Sequence, residues 1–151
     1  MSDDPQITHV ICTDFNGTIS FWENNDYVEE RLSSCKTAFQ SGPMIYEFSG
    51  GQKKENLATK QYIGLPHTRT VMVVFTRTDN TQDVWFLTAY TKMTLAQIRD
   101  AVLSETRFYG TYQSLSIMNL DGGSSVAYIS QPFPELNFGT NKILPIVLGI
   151  K

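Results

Sequence analysis

The chain has 151 residues, with 12 Lys and Arg against 15 Asp and Glu, a formal net charge of −3. That length suits one domain, able to bury about two thirds of its unfolded surface in a single core. The scattered cations form no basic stripe, which argues against a binder of nucleic-acid duplexes. The start Met1-Ser2-Asp3-Asp4-Pro5 carries no basic leader followed by an apolar run, and no stretch approaches the roughly 18 apolar residues of a membrane span. The expectation is a cytoplasmic protein with no membrane partner; a place in a virion stays open.

Ile7 to Phe15 and Thr18 to Trp22 are β-branched and aromatic runs on either side of Asn16-Gly17, the strongest short-range signal for a two-residue hairpin. Glu23 to Ser34 is polar and reads as a loop or a short helical turn. Lys36 to Gln40 and Met44 to Phe48 read as two short strands interrupted at Ser41-Gly42-Pro43. Gly50 to Asn56 reads as a solvated loop. Arg69 to Arg77 and Val84 to Tyr90 flank the polar turn Thr78 to Gln82 and form a second hairpin; both are apolar at adjacent positions, as expected of strands buried on both faces.

The clear helix starts at Thr94. Thr94 and Gln97 fit a capping box, and Leu95, Ile98, Ala101 and Val102 recur at helical spacing toward Phe108. Leu115, Ile117 and Leu120 lead into Asp121-Gly122-Gly123-Ser124-Ser125, after which Val126 to Ile129 and Ile143 to Ile150 read as strands, the last near an edge because of Pro145. The fold class is α+β: a mixed, mainly antiparallel sheet with one principal helix packed on it. Cys12 and Cys35 lie in unlike contexts and read as two buried free thiols. Neither His9 nor His67 has a neighbourhood suggesting nucleophilic catalysis.

Chemistry concentrates at Asp121-Gly122-Gly123-Ser124-Ser125. Paired glycines open backbone conformations closed to other residues, and successive N–H groups there form an anion-binding nest beside a carboxylate and two hydroxyls. An Asp-Gly hairpin turn followed by polar residues is the plainer alternative.

Asn119-Leu120-Asp121-Gly122-Gly123-Ser124-Ser125 resembles the Asn-Leu-Asp-Gly-Gly-(Gly/Ser)-Ser signature of the phosphodiester glycosidase family. Ala38-Phe39-Gln40-Ser41-Gly42-Pro43-Met44-Ile45 resembles that family's Ala-x-Gln-(Ser/Gly)-Gly-Pro-x-Leu segment, and Arg69-Thr70 its Arg-Thr strand. Met93-Thr94-Leu95 with the following helix, and the closing strand Leu144 to Ile150, are similar to family segments in the same order. The resemblance covers Ile7 to Lys151 and describes a shortened member: the family's Asn-Gly-Gly-Phe-type segment is not in this chain.

The resemblance implies hydrolysis of a sugar joined through its anomeric carbon to a phosphodiester, on a sugar-phosphate or sugar-nucleotide ligand, without cofactor or metal. The reaction passes through an oxocarbenium-like transition state, and the departing phosphate gains most from fixed positive groups and N–H donors. Arg69 is the natural phosphate partner, and Asp121 activates water or steadies developing positive charge. Gln40, Ser41, Gly42, Thr70, Asn119, Gly122, Gly123, Ser124 and Ser125 complete the substrate site. Tyr46, Trp85, Phe86, Tyr90 and Tyr128 offer rings for stacking or for the core. The alternative is a non-catalytic module of the same fold that binds, oligomerises or serves in phage assembly, a homo-oligomer or a complex with another chain.

Overall fold

The computed structural model describes residues 8–23, 29–55, 65–105 and 112–122; the predicted strands Val126 to Ile129 and Ile143 to Ile150 lie outside them. The described elements are β1 (His9–Asp14), β2 (Ile19–Glu23), α1 (Glu29–Leu32), β3 (Cys35–Ser41), β4 (Met44–Ser49), β5 (Gln52–Glu55), β6 (His67–Arg77), β7 (Gln82–Met93), α2 (Leu95–Ser104) and β8 (Tyr112–Gly122). They make two sheets, ordered β2-β1-β3 and β5-β4-β8-β6-β7. Every described pairing is antiparallel, and α2 is the principal helix, in line with the mainly antiparallel α+β expectation.

Side-chain alternation builds three layers from these elements. On β6, Val71, Val73 and Phe75 face α2 and pack with Leu95, Ile98, Val102, Leu115 and Ile117. The alternate residues Met72 and Val74 face the three-stranded sheet and pack with Ile11, Met44 and Met118, with Phe21 and Phe39 at the margin. The five-stranded sheet is therefore the middle layer. β6 is buried on both faces as its continuous apolar run requires. β7 departs from that expectation: it is the last strand of its sheet among the described residues, so Val84 and Phe86 stay 37% and 36% exposed.

The chain leaves one sheet for the other at Gly42-Pro43, which is why two strands adjacent in sequence are not paired. The Gln82 side chain ties the layers together: its Oε1 accepts from the Ile19 N–H at 2.7 Å, and its Nε2 donates to the Ile19 carbonyl at 3.0 Å. α2 begins at the predicted capping box, with the Gln97 N–H donating to Thr94 Oγ1 at 3.1 Å and the Thr94 N–H donating to Gln97 Oε1 at 2.8 Å. The helix stops at Ser104, short of Phe108, where the apolar spacing that anchors it to the sheet has ended at Val102.

Three local expectations are corrected. The Asn16-Gly17 connection is not a two-residue turn: only Gly17 has positive φ, at 88°, and Asp14 Oδ1 accepts from the N–H groups of Asn16 and Thr18, both at 2.8 Å. A carboxylate placed before the turn offers the backbone a closure the dipeptide signal does not consider. The two-residue turn occurs at Gly50-Gly51 instead, with φ of 57° and 79° and Ser49 paired to Gln52, so the predicted loop contains strand β5. Lys54 on that strand donates to Glu23 Oε1 at 2.6 Å.

The third correction concerns the cysteines. Cys12 and Cys35 form a disulfide across 23 residues with a Cα–Cα separation of 5.6 Å. Their sequence contexts differ, yet β1 and β3 are ladder neighbours and Asp14 pairs with Cys35. That pairing places the two cysteines within bridging distance.

Candidate functional site

Three segments far apart in sequence meet at one end of the five-stranded sheet. β8 ends alongside the start of β6, with Thr70 paired to Asp121 and Arg69 to Gly122. Asp121 and Gly122 therefore continue a strand rather than begin a turn. The end of β3 joins them through hydrogen bonds: Ser41 Oγ donates to the carbonyls of Asn119 at 3.1 Å and Leu120 at 3.0 Å. Asn119 Nδ2 donates to the Gly42 carbonyl at 3.1 Å, and the Asn119 N–H donates to the Pro43 carbonyl at 3.0 Å. The junction between the two sheets is thus locked to the strand carrying the glycine signature.

Asn119 continues the alternation of Leu115 and Ile117, so an amide occupies a core position on the α2 side, 7% exposed. Its Oδ1 is buried without a hydrogen-bond partner. An unmatched buried acceptor costs about 1–3 kcal/mol.

Arg69 is two residues from Val71 on the same face and is 6% exposed. Its Nε donates to the Met93 carbonyl at 3.1 Å and its Nη2 to the Leu65 carbonyl at 2.9 Å. Burial pushes its guanidinium below the ordinary pKa, though an arginine stays charged throughout the accessible range. Thr70 points the other way, toward the three-stranded sheet, where its hydroxyl meets that of Thr88 at 3.1 Å. Gln40 pairs with Val10, and since Phe39 faces the inter-sheet core, Gln40 lies on the outer face of the three-stranded sheet. Ser41 spends its hydroxyl hydrogen on carbonyls and is no nucleophile in this arrangement.

The backbones of Ser41, Gly42, Arg69, Thr70 and Asn119 to Gly122 come together, then, while the side chains of Arg69, Thr70 and Gln40 divide among three faces. The side chains of Asp121 and Tyr90 lie outside the described residues, as do Gly123, Ser124, Ser125 and Tyr128 altogether. Among the aromatics, Tyr46 belongs to the α2-side core, Trp85 packs against it, and Phe86 remains partly exposed.

One neighbour escaped the sequence reading. His9 is 7% exposed, paired with Ser41 in the β1–β3 ladder, and its Nδ1 lies 2.7 Å from Thr8 Oγ1. Only that pairing shows it stands beside the junction. Among the described residues no cluster of His, Cys, Asp or Glu could hold a metal ion, and no helix is long and apolar enough to cross a membrane.

No family model, curated protein or solved structure matches this chain.

Proposed function

We propose that the chain is a phosphodiester glycosidase-like protein whose site lies where β3, β6 and β8 meet, and which hydrolyses a sugar joined through its anomeric carbon to a phosphodiester. One observation carries the reading: Ser41-Gly42, Arg69-Thr70 and Asn119 to Gly122, the three segments of the resemblance, are brought to one end of one sheet by direct pairing and hydrogen bonds. In this reading Arg69 supplies a fixed positive charge behind the phosphate, and the Gly122-Gly123 backbone supplies N–H donors to it. Asp121 activates water or steadies the oxocarbenium-like transition state. A disulfide between Cys12 and Cys35 suits an oxidising compartment or a particle surface.

A second reading rests on the engagement of the same side chains. Arg69 donates to two main-chain carbonyls and Thr70 meets Thr88, which suits a non-catalytic binding, oligomeric or virion module that keeps the architecture for stability. The experiment that separates the two is release of free sugar from an N-acetylglucosamine-1-phosphodiester, with solution mass measured in parallel. Turnover that falls by about 10²–10⁴ in Asp121→Asn, with an unchanged melting curve, supports the enzyme. A wild-type protein that cleaves no member of a sugar phosphodiester panel and runs as a discrete homo-oligomer supports the module.

A further inference from the structure

The outer face of the three-stranded sheet carries a groove that the proposed function does not use. It has a volume of about 510 Å³ and is lined by Asp14, Phe15, Ser20, Trp22, Ser33 and Ser34 among others, within the size range of small-ligand sites. It runs along the outer face of β1 and β2 from Asp14, which pairs with Cys35, to Trp22, which pairs with Val10.

Each wall has a structural cause. Cys12 and Ser20 are paired across β1 and β2, and Val10 and Trp22 likewise; because Ile11 and Phe21 face the inter-sheet core, Ser20 and Trp22 are turned outward. The far wall, Ser33-Ser34, follows α1 and immediately precedes Cys35, whose disulfide to Cys12 ties that corner to the groove floor. The Ser34 hydroxyl donates to the Arg31 carbonyl at 2.7 Å, and the Arg31 guanidinium lies 5.6 Å from the Trp22 ring centroid, fixing the ring. Phe15 stands at the rim, 72% exposed. Asp14 uses Oδ1 for the turn, which leaves its second oxygen uninvolved in that closure.

We infer that this groove is a binding subsite for a neutral saccharide, with a pyranose ring laid against Trp22 and its hydroxyls met by Asp14, Ser20, Ser33 and Ser34. A pyranose presents an apolar C–H face and a rim of hydroxyls. It therefore needs an amphipathic ring beside a few donors and acceptors, which is the composition found here. The Asp14 carboxylate in the lining repels a phosphate, so the preferred ligand is uncharged sugar rather than the phosphodiester of the candidate site. The inference stands on the groove alone and holds whether or not the chain hydrolyses anything.

The test is a titration of the wild-type, disulfide-intact protein with neutral disaccharides (chitobiose, cellobiose and maltose), followed by chemical-shift mapping and indole fluorescence. Saturable shifts confined to Trp22, Phe15, Ser20, Ser33 and Ser34, with a Kd on the order of 1 mM, are expected. Trp22→Ala should weaken binding at least tenfold and Phe15→Ala, a change at an exposed rim, two- to fivefold. Absence of shifts at these residues with all three sugars, or shifts produced only by a sugar phosphate, would overturn the inference. Equal affinity in wild type and Phe15→Ala, together with shifts mapping to the β3–β6–β8 junction, would overturn it too.

Discussion

Removing the disulfide is the sharpest perturbation the structure offers. The bridge joins Cys12 in β1 to Cys35 at the start of β3 across 23 residues, and those strands are already ladder partners. Its main effect should therefore fall on the unfolded chain, whose closed loop loses conformational freedom. For 23 residues the loop-entropy relation gives on the order of 3 kcal/mol at 25 °C. A chain of this size loses roughly 2–4 °C in Tm per kcal/mol, so Cys12→Ala/Cys35→Ala should melt about 6–12 °C below the wild type. Full reduction of the wild type should lower Tm by a similar amount. The assay is calorimetry of both forms beside thiol titration in denaturant before and after reduction. Two titratable thiols in the unreduced protein, or a Tm change under about 2 °C, would refute the reasoning.

Other consequences follow from particular contacts. Gly51 closes the β4–β5 turn at φ 79° with open space around the position a Cβ would occupy, so Gly51→Val should cost about 1–2 kcal/mol through backbone strain alone, read as a lower urea midpoint with unchanged m. Thr94→Ala removes the hydroxyl half of the capping box, the acceptor for the Gln97 N–H, and should cost about 1 kcal/mol; a melting curve identical to wild type would count against the cap. The Lys54 hydrogen bond and charge hold the Glu23 carboxyl below its ordinary pKa of 4.5. Since the folded value lies beneath the unfolded one, this contribution is present above about pH 4.5 and is lost as pH falls through the folded value. Both partners are solvent-accessible, so the effect stays within about 1 kcal/mol. Glu23→Gln should flatten the acid limb of the stability–pH curve by that amount.

The elements legible from sequence were those fixed by neighbours along the chain. The Thr94-Gln97 box sets the start of α2 because both its partners lie within one turn. The doubly apolar run of β6 demands cover on two faces and receives it from α2 and the three-stranded sheet. Arg69-Thr70 and Asp121-Gly122 pair in the β6–β8 ladder, but pairing specifies backbones only. Which face each side chain takes depends on register. The ladder shifts between Thr70 and Val71 opposite β8, and no local pattern encodes that displacement. The cysteines show the same division. Their spacing carries no disulfide signal, and they come within 5.6 Å only because β1 and β3 adjoin in the three-stranded sheet. Short-range hydrogen bonding and hydrophobic period are properties of the chain itself. The side-chain faces of the candidate site, the disulfide and the Trp22 groove depend on contacts between distant segments, and only the packed sheets decided them.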